Sequence, residues 1–190
     1  MAGWHREEQP ERAVERILEA AEKAFIEGGV SSVGMGRIAE AAGCSRGTLY
    51  RYFKNRHELH LAYIDRAARE IVLRVRAATE GIEDPRERLV ESILRSVAEV
   101  RENPGTAAWF EPGISGLAAR MSRSSEMIDT LTTAFVERLL EPAARGSESR
   151  LRARWFVRVI VSLLALPEDS EAEERALIER FVAPPILERG

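Results

Sequence analysis

The sequence has only one cysteine, Cys44, so no disulfide can form within the chain and we expect a reducing compartment. Long apolar runs are also absent. The longest apolar stretch, 155–166, contains Arg158 and is too short to cross a bilayer. The opening residues, MAGWHREEQP, lack the apolar core of a signal peptide. These absences predict a cytoplasmic protein that does not bind a membrane.

Aromatic residues are scarce, at 6% of the chain, and β-branched runs bounded by turn residues are few. Hydrophobic residues reach 45% and charged residues 31%, so the chain can both bury a core and stay in solution. Ala, Leu, Arg and Glu, which favour helices, dominate the composition. We therefore predict an all-α protein of about nine helices, with no convincing strand.

The chain has no excess of basic residues, because its formal net charge is −3 and its pI is about 5.8. This balance counts against a nucleic-acid binder unless the basic residues are concentrated locally. Between positions 37 and 60, only Glu40 and Glu58 oppose a group of basic side chains: Arg37, Arg46, Arg51, Lys54 and Arg56. The acidic residues collect elsewhere, notably in 168–179.

The stretch 38–59 has the pattern of a helix-turn-helix, whose second helix lies in the major groove of DNA. Two short helices are predicted, 36–42 and 45–53, with Gly43 in the turn between them and Ser45 as the N-cap of the second. Leu49 and Phe53 are four residues apart and would pack inward. The side chains then directed outward are those of Arg46, Gly47, Tyr50 and Arg51.

The other helices are predicted from apolar periodicity and from capping residues. Their expected spans are Glu11–Glu27, Asn55 to about Thr79, Pro85 to about Asn103, Leu117 to about Glu141 as one or two helices, Leu151–Leu166, and a last helix that Ser170 caps. Gly28 and Gly29 would end the first of these. Pro184 and Pro185 would close the last, because proline interrupts a helix.

The motif is more specific than helical periodicity because it combines Ile-Ala, a turn Gly, a Ser cap, Gly-Thr-Leu-Tyr and a basic helix start. It is carried by IAEAAGCSRGTLYRYF and the following NRHEL. This stretch resembles the TetR family of bacterial transcriptional regulators, over roughly 12–63. The resemblance implies a flexible arm at 1–10, a three-helix helix-turn-helix DNA-binding domain at 11–54, and a helical ligand-binding and dimerisation domain at 55–190.

The resemblance also implies which side chains meet DNA: Arg37, Ser45, Arg46, Gly47, Thr48, Tyr50, Arg51, Tyr52 and Arg56. Gly47 would let the backbone come close to DNA, and Arg46 would reach a guanine edge or a phosphate. The hydroxyl side chains in this set and Arg56 would bind phosphates. The alternative is that the arginines form a solvated face and the tyrosines only cover the core.

Three residues depart from the family pattern. Cys44 stands where a small aliphatic residue is usual, so we expect it to pack as a small hydrophobe, with a redox switch as the alternative. Val33 and Gly34 stand where Thr and Ser are common. One phosphate contact and part of a helix cap are therefore expected to be missing.

Large apolar side chains crowd the irregular middle of the chain: Trp109, Phe110, Ile114, Leu117, Met121, Met127 and Phe135. Broken helices and flexible methionines leave room for an apolar cavity, but an ordinary core would show the same pattern. The family resemblance favours a site for a small, largely apolar effector. Arg120 and Arg123 could meet a carboxylate or phosphate on it.

The last two long helices carry more apolar residues than one buried stripe needs: Trp155, Phe156, Val159, Ile160, Leu163, Leu164 and Phe181. By resemblance, two such helices from each subunit form a four-helix bundle. We therefore expect a homodimer that reads both half-sites of a palindromic operator on double-stranded DNA.

These features together predict a ligand-responsive transcriptional repressor that is not an enzyme and needs no cofactor or metal. His57 and His60 are three residues apart but lack an identifiable partner ligand. No nucleophile elbow, phosphate loop or catalytic triad is recognisable. The alternative is a helical small-molecule-binding or interaction protein without specific DNA binding, which the acidic pI and the departures at 33–34 favour.

Overall fold

The N-terminal helices follow the glycine and serine signals in the sequence. The structure, a computed structural model, describes residues 10–140 and 148–187. It begins with α1 (Pro10–Gly28), α2 (Met35–Ala41) and α3 (Arg46–Tyr52). Gly29 and Gly43, which follow α1 and α2, have φ angles of 75° and 65°, a left-handed conformation that glycine adopts at little cost. The predicted helix-turn-helix is therefore confirmed, whereas the predicted arm lies outside the described residues except for Pro10.

The second part of the chain contains further helices, most of them longer than α2 and α3: α4 (Arg56–Thr79), α5 (Pro85–Glu102), α6 (Pro104–Ala107), α7 (Ser115–Ser124), α8 (Glu126–Leu139), α9 (Ser149–Ala165) and α10 (Glu171–Leu177). A side chain caps the start of most of them by accepting a backbone N–H of the first turn: Asn55, Asp84, Asn103, Ser125 and Ser170. Residues 10–140 and 148–187 contain no strand, so the all-α prediction is confirmed. The expected helix end near Glu141 lies outside the described residues.

The prediction that Pro184 and Pro185 close the last helix is wrong. After α10, a π-helical turn (Ile178–Val182) continues into α11 (Ala183–Leu187), which contains both prolines. They stand in the first turn of α11, where the π turn has already changed the hydrogen-bond register. A missing N–H has little consequence at that position, so proline is tolerated there.

The buried side chains form two clusters that divide the molecule unevenly. The first joins α1 to α4 but also includes Trp109, which follows α6, and Met121 of α7. The second joins α5, α8, α9 and the C-terminal helices around Ile93 and Phe156. Phe110 packs against both clusters. The core of the DNA-binding part therefore continues into the second part of the chain. No helix in the described ranges has the length and apolar character needed to cross a membrane.

Candidate nucleic-acid interface and effector cavity

Helix α3 is anchored by one face and exposes the other. Leu49 is fully buried and Phe53 nearly so, and both belong to the first cluster. Ser45 caps the helix, because its Oγ accepts the N–H of Thr48 at 3.0 Å. The residues left exposed at the start and along the outer face are Ser45, Arg46, Gly47, Tyr50 and Arg51. This arrangement presents a helix N-terminus and its polar side chains to an approaching ligand.

The other hydroxyl groups of the helix lie next to this exposed row. Thr48 is half-buried, and its Oγ1 lies 3.0 Å from Ser45 Oγ. The guanidinium of Arg51 lies 5.2 Å from the centre of the Tyr52 ring, which places a cation against an aromatic face. It also donates to the Tyr52 hydroxyl at 3.5 Å. The structure therefore brings together the residues of α3 that the sequence predicts as DNA contacts.

Positive charge at this surface is weakly opposed. Arg37 of α2 pairs with Glu27 at 3.5 Å, but both side chains are more than half exposed, so water screens the pair. Arg46 and Lys54 make no ion pair with any residue in the described ranges. Glu58 is occupied at the start of α4, where its Oε2 accepts the Lys54 N–H at 3.0 Å. The surface thus carries the local positive charge that a phosphate backbone requires.

Arg56 is turned toward the protein itself. Its Nη2 donates to the carbonyl of Val30 and, at 2.7 Å, to the carbonyl of Ser31, both in the loop between α1 and α2. Its Nε donates to Nε2 of His60 at 3.3 Å. Arg56 therefore ties the start of α4 to the α1–α2 loop. This geometry favours a positioning role for Arg56 over the phosphate contact that the family resemblance implies.

An aromatic cluster lies directly behind Arg56. The rings of His60, Phe25 and Tyr63 surround Trp109, with centroids 4.9, 5.7 and 5.8 Å from it. Burial, and after it the nearby charges of Arg56 and His57, together lower the pKa of His60 to about 4. Burial also raises the pKa of Tyr63. His60 is therefore neutral, which matches its role as hydrogen-bond acceptor from Arg56.

Two neighbouring cavities lie between α4 and the helices that follow. The apolar cavity, of about 130 Å³, is lined by side chains that include Ile64, Ala67, Ile71, Trp109, Phe110 and Ile160. The arginine cavity, of about 220 Å³, lies between α4, α5 and α8, and its charged residues are Arg76, Glu80, Arg88 and Arg138. Both cavities are bordered by Val72, Ser96, Leu131, Thr132 and Phe156. The two cavities therefore adjoin each other at these side chains.

The sequence model of the bacterial regulatory proteins of the tetR family matches residues 17–63, from within α1 into α4. An HTH-type transcriptional regulator of Mycobacterium tuberculosis, Rv1255c, is 42% identical over 186 residues, which cover 97% of this chain and 91% of that protein. The chain belongs to the TetR family. It is therefore a transcriptional regulator with a DNA-binding helix-turn-helix.

Two solved structures, one of them a TetR-family repressor, align with nearly all of the chain. The repressor AlkX from Dietzia sp. strain DQ12-45-1b aligns over 96% of both chains with a TM-score of 0.67 and 22% sequence identity. RolR, solved in complex with resorcinol, aligns over 97% of both chains with a TM-score of 0.65 and 19% identity. At these identities the likeness establishes the TetR fold.

In the structure of this TetR-family regulator, only some of the residues predicted to bind an effector line a cavity. Trp109 and Phe110 line the apolar cavity, and Phe135 lines the arginine cavity. The remaining four border neither of these two cavities: Ile114, Leu117, Met121 and Met127. Met121 is instead buried in the first cluster, against which Ile114 and Leu117 also pack. The set predicted from the sequence therefore contains both residues that line a cavity and residues that pack in the core.

The residues predicted to form the dimer are also divided. Phe156, Val159, Leu163 and Leu164 are buried in the second cluster of their own chain, and Ile160 packs against it. Trp155 and Phe181 are exposed, at 44% and 64%. Leu151 and Leu166 are exposed as well, at 63% and 75%. The exposed members of this set are therefore the ones available to a second TetR-family subunit.

The sequence did not lead us to the polar residues of the arginine cavity. Ser92 and Ser96 fall on the same face of α5 as Leu89 and Ile93, and polar residues on a buried stripe are a signal that could have revealed a site.

Cys44 is half-buried against the first cluster, and burial raises the pKa of its thiol. This environment favours the expected packing role over a reactive thiolate.

Proposed function

We propose that this TetR-family regulator is a homodimeric repressor that binds a palindromic operator and is released by a small, largely apolar effector. It has no enzymatic activity in this proposal and acts in the cytoplasm, where the operator DNA lies. The exposed basic row on α3 supports DNA binding, and the two cavities next to α4 support effector binding.

The observation that carries the proposal is that one helix, α4, belongs to both sites. Its first turn holds the DNA-binding part through Arg56, which binds the α1–α2 loop. In its middle turns, Ile64, Ala68 and Ile71 line the apolar cavity. A ligand that moves α4 at the cavity will therefore also move α3 relative to the α3 helix of the second subunit.

Trp109 provides a second connection between the sites. It lines the apolar cavity, and its ring lies against that of His60, which accepts the hydrogen bond of Arg56. Tyr63 stacks on Trp109 with an interplanar angle of 10°. Effector binding would release the repressor if the effector prefers the arrangement in which the two α3 helices no longer fit successive major grooves. RolR binds resorcinol within the same fold, which supports a small organic effector.

A mobility-shift titration at fixed moderate salt tests the DNA-binding part of the proposal. We expect the full-length protein to bind a fragment that flanks its own gene and to resist competition by unrelated DNA. Arg46→Ala should lower this specific affinity about tenfold, because one base-edge or phosphate contact is lost. Arg95→Ala is the matched control, since Arg95 is an exposed arginine on α5, outside the helix-turn-helix.

Two results would argue against the proposal. Failure of every flanking fragment to bind in the presence of competitor DNA would contradict specific autoregulation. A reporter driven by the bound fragment should become more active when the regulator gene is deleted. Reduced reporter activity in the deletion strain would instead identify an activator.

A further inference from the structure

The arginine cavity contains two buried polar atoms that have no hydrogen-bond partner: Nε of Arg88 and Oγ of Ser92. The two residues are four positions apart on α5 and therefore share one face. Ser92 is only 1% exposed. The hydrogen bond that Arg88 does make is long, from Nη2 to the Glu80 carbonyl at 3.5 Å. Buried donors without acceptors are costly, so a ligand that supplies an acceptor here would be stabilised.

The charges of the arginine cavity specify the kind of acceptor. Arg76, Arg88 and Arg138 border it, and Glu80 is the one carboxylate among its lining residues. Arg76 and Arg138 make no ion pair with a residue of the described ranges. An excess of positive charge together with two donors matches an oxyanion, which accepts hydrogen bonds and donates none.

The neighbouring apolar cavity specifies the rest of the ligand. Its wall is almost entirely hydrocarbon, from residues such as Ile64, Ile71 and Ile160. The volumes of about 220 Å³ and 130 Å³ together reach the lower end of the range of about 300–1,000 Å³ that is typical of small-molecule sites. A molecule that fills both spaces must place an anionic group at one end and an apolar body at the other.

A second arginine-rich cavity also adjoins the apolar cavity and is a weaker candidate for the anionic group. It has about 370 Å³ and is bordered by Arg120, Arg123, Arg154 and Arg158. All four arginines are exposed, and Arg154 already pairs with Asp129 at 3.5 Å. Solvated arginines with a carboxylate neighbour do not need a ligand. They do, however, provide a matched control for Arg88.

We propose that the effector is an anionic amphiphile whose head group binds Arg88 Nε and Ser92 Oγ in the arginine cavity, while its apolar body occupies the apolar cavity. This inference rests on the effector-binding function proposed above and adds the chemical class of the effector. It also assigns a function to Arg88 and Ser92 that neither the helix-turn-helix nor the buried core requires.

The test is calorimetric titration of the full-length protein, without DNA, with decanoate, decyl phosphate, 1-decanol and decylamine. We expect decanoate or decyl phosphate to bind at least about tenfold more tightly than decanol, because charge-assisted hydrogen bonds are stronger than neutral ones. The better of the two anions identifies the head group. Decylamine should bind more weakly than decanol because the arginines repel it.

Variants locate the head group. Arg88→Met should abolish the preference for the anion over decanol while leaving decanol binding within about threefold of its original affinity. Ser92→Ala should reduce the preference while the free protein melts at the same or a higher temperature, since an unpartnered buried hydroxyl is removed. Arg120→Met should keep the full preference. These three variants together separate loss of an anion contact from loss of folding.

The inference is overturned if the protein binds decanol as well as the anions, or if Arg120→Met removes the preference and Arg88→Met does not. Operator release is measured separately, by the loss of fluorescence anisotropy of a labelled DNA fragment. Anion binding that depends on Arg88 but leaves DNA bound would support the inference and contradict release by effector. Release by decanol without any anion preference would support the proposed function and contradict the inference.

Discussion

At the scale of single residues, Gly47 offers a substitution that separates folding from DNA binding. It lies in the first turn of α3, and a Cβ added there would meet only Ser45 Oγ, at 3.8 Å, which is an ordinary contact. Gly47→Ala should therefore raise the free energy of unfolding by up to about 1 kcal/mol, because alanine favours a helix. The same methyl group would hinder the approach of the backbone to DNA.

We expect Gly47→Ala to weaken operator binding at least about tenfold while the midpoint of urea unfolding rises. Gly116→Ala is the control, since Gly116 is an exposed helical glycine in α7, where a Cβ meets only Arg120 Nη1 at 3.9 Å. It should raise stability without changing DNA affinity. Unchanged operator binding by Gly47→Ala would show that the backbone at Gly47 does not lie close to DNA.

His60 makes stability depend on pH in a defined window. Its pKa is lowered to about 4, first by burial and then by the charges of Arg56 and His57. The unfolded chain has an ordinary histidine pKa of about 6.5 and therefore takes up a proton between pH 6.5 and 4 that the folded protein does not bind. Stability is fully present above pH 6.5 and is lost as the pH falls through this window. The loss between pH 7.5 and 5 should be about 2 kcal/mol.

Urea unfolding at pH 7.5 and pH 5 measures this effect. His60→Gln should be less stable at pH 7.5, because ring contacts are lost, but its stability should fall by about 2 kcal/mol less than that of the original protein over the same pH range. His57→Gln should keep most of the original dependence, since His57 is exposed. Equal pH dependence in His60→Gln and the original protein would exclude His60 as the titrating group.

The residues that were predicted well are those whose roles are local in sequence. Ser45 caps α3 and Leu49 packs inward because both roles follow from positions within one helix. Arg56 was less predictable, because its partner, the Val30 carbonyl, is 26 residues away and belongs to a loop. Ser92 was overlooked because a serine in a helix is unremarkable until the surrounding helices bury it. The roles of Arg56 and Ser92 depend on how the helices pack together, and the periodicity of the sequence gives no information about that packing.

At the scale of elements, α6 approaches α1 and α4 so closely that only glycine fits. A Cβ on Gly105 would lie 2.5 Å from Glu22 Oε1 and 2.6 Å from the Tyr63 hydroxyl. Neither side chain can move freely. Glu22 pairs with Arg66 at 2.6 Å, and Tyr63 is buried and stacked on Trp109. Gly105 therefore permits the contact through which Trp109 reaches the N-terminal core.

Gly105→Ala should lower the free energy of unfolding by about 1–3 kcal/mol, as overpacking does in well-packed cores. Urea unfolding measures the change, and Gly116→Ala should change stability in the opposite direction. The variant should also respond less to an effector, because Trp109 is displaced from His60 and Tyr63. A variant as stable as the original protein would show that α6 can move away from α4 without cost.

The elements also show that the core of the DNA-binding part contains side chains from beyond the predicted domain boundary. The sequence places the end of the DNA-binding domain at residue 54, just before the long helix that is predicted to start at Asn55. In the structure, Trp109 and Met121 complete the core of α1 to α4. This contact forms because the chain after α5 packs against α1 and α4, and no pattern in the local sequence predicts that packing. In the proposed function, this shared core would transmit a change at a cavity beside α4 to α3.

At the scale of the whole molecule, the exposed apolar residues of the C-terminal helices predict the oligomeric state. Leu151, Trp155 and Leu166 of the α9 region are 63%, 44% and 75% exposed, and Phe181 of the π-helical turn is 64% exposed. Large exposed apolar side chains are typical of a protein interface, and we expect these four to lie on one. A two-fold contact through this surface would place two α3 helices on one operator.

Trp155→Glu should therefore convert the dimer to a monomer with unchanged helix content, because the side chain is exposed in the single chain and its loss leaves no cavity. Sedimentation velocity measures the mass, and circular dichroism measures the helix content. Operator affinity should fall about 100-fold or more, since two linked half-site contacts become independent. Leu73→Glu is the control, because Leu73 is 61% exposed but lies on α4, away from this surface. A Trp155→Glu protein that stays dimeric, or a Leu73→Glu protein that becomes monomeric, would place the subunit interface elsewhere.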